Sequence, residues 1–337
     1  MKESAPQESA ADRKGLDRRI LDLFRERKGG VVSGEDLSDL LGVSRTAVWK
    51  HVKTLKAIGY RIESIPSQGY RLVSLPDILL PAEISDGLDT RRIGRRLVCF
   101  RETESTNMVA FRMAEEGAEE GTVVIAEAQH LGKGRMGRRW ESPAGVNLYC
   151  SMILRPPILP MQAAQLTFLS AVAVARTIAE TTPLHPEIKW PNDVLVKGGK
   201  VAGLLNEMSA ETEKVNFVVL GIGININMRR DQFPDDLRHP ATSLALEAGG
   251  DVNRLEFTRA LLATLDDIYD AYLNRGYGVI RDEWLSRCTM NGREVKVTFQ
   301  NSSQFGMVVG IDEDGALLLR LHDGRIERVL AGDVTIL

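Results

Sequence analysis

Gly132–Trp140 read GKGRMGRRW, directly after the strand-like run VVIAEAQ at 123–129. Glycines at every second or third position let backbone N–H groups approach an anion, and the interleaved Lys133, Arg135, Arg138 and Arg139 hold positive charge around it. A glycine-rich stretch is most often a turn, and the GxGxxG spacing here lacks the helix and downstream acidic residue of a dinucleotide fold. The basic residues favour a phosphate over NAD. Outward from this loop, the strand-like runs NLYCSMIL at 147–154 and FVVLGIGIN at 217–225 accompany a helical pattern at 162–180. Strands interleaved with helix predict a mixed α/β domain over residues 82–287.

Further stretches gather polar and basic groups in the same domain: STN at Ser105–Asn107, KWPND at Lys189–Asp193, KVAGLL at Lys200–Leu205 and GIGIN at Gly221–Asn225. Each has a bland explanation. Ser-Thr-Asn commonly caps a helix, and 108–115 look helical. KWPND reads as a strand entering an Asn-Asp turn, which accounts for Pro191, Asn192 and Asp193 but not for Lys189 and Trp190. Lys200, after a Gly-Gly turn, could be a solvated surface lysine.

Taken together, in this order and spacing, these stretches and the basic loop resemble the biotin protein ligases, and the likeness runs over nearly the whole chain. The resemblance implies activation of biotin by ATP as biotinyl-5'-adenylate, then transfer to a lysine of the biotin carboxyl carrier protein of acetyl-CoA carboxylase. It implies that Ser105, Thr106, Asn107 and Gln129 hydrogen-bond the uncharged biotin head group. Lys133, Gly134 and Arg135 would lie over the biotin carboxylate and phosphate, with Gly132 in the same binding set and Arg138 ordering the loop. Lys133 stands where many relatives carry arginine, whose bidentate fork lysine cannot reproduce. Arg135, Lys189 and Lys200 are the implied catalytic residues; Trp140, Asn192 and Asn225 complete the adenylate-binding set. Gly203, Gly221 and Gly223 would pass close under the ligand, where a side chain would collide. Asp193 is the candidate Mg²⁺ ligand or base, and no structural metal is expected.

The chemistry accounts for these residue types. A carboxylate attacking the α-phosphorus of ATP brings two anions together, so Arg and Lys must neutralise both and hold them in line. The acyl-adenylate is a mixed anhydride that water destroys, so the basic loop and residues 228–243 are candidate lids. Phe233 is the sole aromatic of that second segment.

The amino end reads differently. Residues 1–15 are polar and expected to be a disordered lead. In 16–27, Leu16, Ile20, Leu23 and Phe24 fall at helical spacing. Ser33 and Ser44 can cap two further helices, with apolar faces Leu37, Leu40 and Leu41, then Val48, Val52 and Leu55. Tyr60, Ile62, Ile65 and PSQGYRLV then suggest a two-stranded wing turning at Gly69. A winged helix-turn-helix over 16–75 is expected, with Ser44, Arg45, Thr46, Trp49, Lys50 and Lys53 facing DNA and Arg71 near the backbone. Residues 1–75 carry 14 Lys/Arg against 10 Asp/Glu, an excess too small to argue for DNA without that pattern. SLPDILLPAEI reads as a linker.

At the carboxyl end, alternating runs over 288–337 suggest a small β-barrel, which resembles the SH3-like tail of the ligases. The expected fold class is α+β multidomain: winged helix, mixed α/β ligase domain and barrel. Apolar residues at 43% and charged ones at 26% fit a folded globular chain, with no run long enough to span a membrane. Cys99, Cys150 and Cys288 fit neither a disulfide framework nor a metal site, and a cytoplasmic protein is expected. The resemblance extends to the subgroup that also represses biotin genes, so a homodimer formed on adenylate binding and bound to operator DNA is the leading expectation. The alternatives are a ligase whose DNA-binding domain does not regulate, a biotin-sensing repressor without catalysis, and a lipoate ligase.

Overall fold

Two serines start helices of the amino-terminal unit in the computed structural model, which describes residues 10–27, 29–74, 77–235, 237, 240–299 and 302–337. The Asp36 N–H donates to Ser33 Oγ at 2.9 Å to open α2 (Gly34–Leu41), and the Ala47 N–H donates to Ser44 Oγ at 3.2 Å to open α3 (Arg45–Ile58). Gly42 and Gly59, both left-handed, close them as glycine can at no steric cost. The first helix, α1 (Ala10–Glu26), begins ahead of the expected Leu16, since Ala10, Ala11, Arg13 and Lys14 all favour helix; the rest of the expected lead, 1–9, lies outside the described residues. Ile20, Leu21, Phe24, Leu37, Leu41, Val48, Val52 and Leu55 form the core of this unit. Leu40, expected among them, is 57% exposed, because the buried stripe of so short a helix is Leu37 and Leu41, one turn apart. The wing is the antiparallel pair β1 (Arg61–Ile65) and β2 (Gly69–Ser74), and Val32 bridges to Tyr70. A Cβ at Gly69 would stand 2.1 Å from the Val32 carbonyl oxygen, so the wing can close there only on glycine.

The second unit begins at Leu79, inside the expected linker. Leu79 is buried and donates its N–H to Glu127 Oε1 at 2.7 Å, and α4 (Pro81–Ser85) buries Ile84, so this stretch belongs to a core. The centre of the unit is a seven-stranded sheet: β3 (Arg96–Phe100), β4 (Thr122–Ala126), β5 (Leu148–Leu154), β6 (Pro186–Lys189), β7 (Asp193–Val196), β8 (Gly199–Ala210) and β9 (Val215–Ile224). Its order is β3-β4-β5-β9-β8-β7-β6; β3 and β4 are parallel and all other neighbours antiparallel. β4 and β5 are buried along their whole length because both sheet faces are covered. Val124, Ile153 and Val219 pack beneath α5 (Thr106–Glu115), while Val123, Met152 and Leu220 face the cluster containing α6 (Ala164–Thr181) and α8 (Arg254–Arg275).

After α7 (Leu244–Ala248) and α9 (Gly278–Arg287), the chain ends in β10 (Glu294–Phe299), β11 (Ser302–Ile311), β12 (Leu317–Arg320), β13 (Ile326–Val329) and β14 (Asp333–Ile336), an antiparallel sheet ordered β13-β12-β11-β10-β14. The expected boundary at 287/288 does not interrupt packing. Val295, Val308 and Leu317 belong to the same apolar cluster as α6 and the large sheet. Trp190 Nε1 donates to the Gly315 carbonyl at 3.0 Å and Gln165 Nε2 to the Glu313 carbonyl at 2.8 Å. A Cβ at Gly315 would lie 2.2 Å from the Phe168 ring, so this turn has to be glycine to seat. That seating fixes β14 beside the basic loop.

Candidate functional site

One cavity is lined by STN, the basic loop, KWPND, the start of β8, the glycines of β9 and residues of β14. Its two ends differ in chemistry. At the neutral end, Ser105, Thr106 and Asn107 are all buried, and Ser105 makes no side-chain cap bond to α5, so capping does not account for it. Thr106 donates its N–H to Gln129 Oε1 at 2.8 Å, and Gln129 Nε2 donates to Ser142 Oγ at 3.0 Å. Ser151, the polar residue inside the apolar run of β5, lies 2.8 Å from Thr106 Oγ1 and 2.6 Å from Asn107 Oδ1. The groups that line this end are uncharged donors and acceptors bonded to one another.

At the other end, three cations of the sequence reading converge on the same cavity: Arg135, Lys189 and Lys200. Arg135 Nη1 donates to Asn192 Oδ1 at 3.3 Å, and Asn192 in turn donates to the Leu204 carbonyl at 2.7 Å. Lys200 Nζ stands 2.6 Å from Asp193 Oδ1. Burial pulls the Lys189 amine below the ordinary lysine range, with Lys200 adding to the effect and Asp193 opposing it. Burial likewise lowers Arg135, against the pull of Asp333 and Asp193. Cations held partly out of water in this way bind an anion more strongly than surface cations do. Arg138 pairs with Asp333 of β14, so the carboxyl-terminal sheet holds the loop.

Several expected contacts differ. The glycines make room for protein groups: a Cβ at Gly203 or Gly223 would come within 2.8 Å of the Trp140 ring, and one at Gly221 within 2.1 Å of Asn107 Oδ1. Lys200 Nζ lies 5.3 Å from the centre of that same indole. Gly132 is buried outside the cavity lining, where a Cβ would strike the Trp140 carbonyl oxygen at 2.3 Å. Asn225 also lies outside the lining: β9 ends at Ile224, and the Asn225 side chain donates to the Thr242 carbonyl at 3.1 Å. Asn107 lines the cavity, but its amide is engaged on both sides, Nδ2 donating to Glu207 Oε2 at 2.9 Å and Oδ1 held by Ser151. Asp333, Glu207, Ser142 and Ser151 were not read from the sequence. Only Ser151 carried a local signal, as a polar residue in an apolar strand. Among the described residues no group of three or more His, Cys, Asp or Glu is placed to hold a metal.

In the amino-terminal unit, Arg45, Thr46, Trp49, Lys50 and Lys53 of α3 are all exposed, spaced to share one face, and Ser44 caps that helix. Lys53 Nζ lies 5.3 Å from the Trp49 ring centre, and Arg45 pairs with Glu35 at 2.7 Å. Arg71 of the wing pairs with Glu63 at 2.6 Å.

Comparison with known proteins agrees with this division. Residues 17–71 match the model of an HTH domain, 99–225 that of the biotin/lipoate A/B protein ligase family, and 291–337 that of the biotin protein ligase C terminal domain. The chain is 38% identical over 322 residues to the bifunctional ligase/repressor BirA of Bacillus subtilis (strain 168), covering 96% of this chain and 99% of that relative. It is 31% identical over 304 residues to the bifunctional ligase/repressor BirA of Escherichia coli (strain K12), covering 90% and 92%. A biotin protein ligase from Aquifex aeolicus, solved in complex with biotin and ATP, superposes with a TM-score of 0.62 at 28% identity over 72% of this chain and 99% of that one.

Proposed function

The chain belongs to the family of bifunctional biotin protein ligases and repressors, and we propose on that footing that it activates biotin with ATP as biotinyl-5'-adenylate, attaches the biotinyl group to a lysine of a carrier protein, and represses transcription. One observation carries the reading: a single cavity joins an uncharged hydrogen-bonding cradle to a cluster of three part-buried cations. Biotin has this polarity, with a neutral urea ring at one end and a carboxylate at the other, and the carboxylate must meet a phosphate.

In the first step a biotin carboxylate oxygen bonds to the α-phosphorus and pyrophosphate leaves. Lys189, Lys200 and Arg135 stabilise the charge on the phosphoryl oxygens, and Asn192 steadies the Arg135 fork. Thr106, Gln129 and Ser105 hold the head group so that the carboxylate points at that cluster. In the second step the acceptor lysine's amine attacks the biotinyl carbonyl carbon, AMP leaves, and Asp193, a carboxylate of the cavity lining, takes the amine proton. The cavity's two carboxylates, Asp193 and Asp333, are both paired with cations, a set that fits Mg²⁺ arriving on the triphosphate with at most one protein oxygen, that of Asp193. When bound, it would neutralise phosphate charge.

On this reading the acceptor is the biotin carboxyl carrier protein of acetyl-CoA carboxylase and the reaction is cytoplasmic. β8 runs from Leu204 to Ala210 beyond its pairing with β7, leaving that edge without a partner strand among the described residues. Such an edge supports pairing with a second copy when adenylate binds. Two copies then bring two α3 helices to a two-fold operator, with Arg45, Thr46, Trp49, Lys50 and Lys53 at the DNA.

The test is ATP–pyrophosphate exchange by the full chain with biotin, with lipoate and with neither acid. Exchange with biotin alone is the expected result. Exchange with lipoate would move the chain to the related ligases, and biotin binding without exchange would leave a sensor that represses but does not catalyse.

A further inference from the structure

We propose that Glu207 is a positioning residue that sets the direction of the hydrogen bonds in the biotin cradle, an inference that rests on the ligase reading above. Glu207 lies on β8, and its carboxylate accepts from Asn107 Nδ2 at 2.9 Å. A carboxylate only accepts, so it requires the amide's NH₂ on its side. The same NH₂ donates to the Leu205 carbonyl at 3.3 Å. Asn107 Oδ1 is thereby turned toward Ser151 Oγ, 2.6 Å away. Gly221 keeps the amide in place, for a Cβ there would stand 2.1 Å from Oδ1.

The consequence passes down the chain because each hydroxyl has one proton. Ser151 gives its proton to Asn107 Oδ1 and so must accept from Thr106, whose Oγ1 is 2.8 Å away. Thr106 thus spends its proton on Ser151 and not on Gln129 Oε1, 3.2 Å away, which already accepts the Thr106 N–H at 2.8 Å. What Thr106 Oγ1 presents to the cavity is a lone pair. That is an acceptor for a urea N–H of biotin. A reversed Asn107 amide would donate to Ser151, send the Ser151 proton to Thr106 Oγ1 and the Thr106 proton to Gln129 Oε1, 3.2 Å away, and so use up a lone pair on each of the two oxygens that the urea N–H could meet. The other Glu207 oxygen lies 3.9 Å from Lys133 Nζ, so the same carboxylate also holds the basic loop by charge.

The two roles separate by substitution. Glu207→Gln keeps an acceptor for Asn107 but loses the charge facing Lys133. Glu207→Met loses both, and Ser151→Ala breaks the relay while leaving Lys133 its partner. In biotin-dependent exchange, Glu207→Met and Ser151→Ala should raise the biotin KM about tenfold while the ATP KM moves less than about threefold. Glu207→Gln should keep the biotin KM within about threefold and quicken adenylate dissociation by a similar factor. The proposal is overturned if Glu207→Gln raises the biotin KM as much as Glu207→Met, or if Ser151→Ala leaves it unchanged. Should Glu207→Met fail to fold, Glu207→Gln set against Ser151→Ala still decides. Absence of biotin-dependent exchange in the unaltered protein would sink the ligase reading itself, a different outcome from either.

Discussion

The neutral cradle and the basic loop share one cavity but are held by opposite means. Thr106, Asn107 and Ser151 are buried and bonded to one another and to Gln129 through short hydrogen bonds. The loop is tied at its edges by ion pairs, Arg138 with Asp333 and Lys133 with Glu207, whose side chains are about one-third exposed. Pairs this wet stabilise by at most about 1 kcal/mol each, whereas a buried hydrogen-bonding group left without its partner costs about 1–3 kcal/mol. The cradle is thus built before biotin arrives, and the loop is cheap to open. An anion bound at Arg135, Lys189 and Lys200 adds the attraction that closes it.

The sharpest way to break this comparison is at the charged end. Arg135→Ala should lower kcat/KM for adenylate formation by about 10²–10³-fold, as loss of a transition-state charge partner does, and speed adenylate dissociation while the fold persists. Adenylate retained as in the unaltered protein would remove Arg135 from its role. Gln129→Leu should act on the other end, raising the biotin KM by about tenfold with little change in the ATP KM. If both constants rise together, the cradle is not a separate region. Asp333→Ala should be milder, quickening adenylate release by no more than about fivefold; a larger effect would show that the carboxyl-terminal sheet does more than tether the loop.

A pH profile gives the smallest effect. Burial holds the Lys189 amine below the ordinary lysine range, and Asp193 resists that shift. The protonated amine is the form that meets phosphate, so activity should fall as pH rises through this lowered value, earlier than for an exposed lysine. Asp193→Asn removes the resisting charge and should move that alkaline limb to lower pH. An unmoved limb would mean that another group sets it.

How much of this was readable in the sequence follows the range of the interactions. The caps Ser33 and Ser44 and three central strands of the sheet, β4, β5 and β9, are local patterns, and the structure has them close to where spacing put them. Lys189 was readable as a charge that the turn reading of KWPND leaves unexplained, whereas Lys200 and Arg135 have ordinary surface readings and rested on the family resemblance. Asp333 was not readable, since it meets Arg138 from 195 residues away, through the seating of Gly315 on Phe168. Trp190, unexplained by the turn reading of KWPND, proves to be the anchor of that seat. Asn225 continues the alternation of Gly221 and Gly223 in the sequence but lies outside the cavity lining, because β9 stops one residue before it. Alternation shows which residues share a face, not where a strand ends.

The account stands most directly on amide hydrogen exchange of the full chain with and without a non-hydrolysable biotinyl-adenylate analogue. Residues 132–140 should exchange fast in the free protein and slow by at least about tenfold on binding, while 122–129 and 148–154 stay protected in both states. Equal protection of the loop and the strands in the free protein would contradict the claim that ligand closes a weakly tied loop onto a cradle already built.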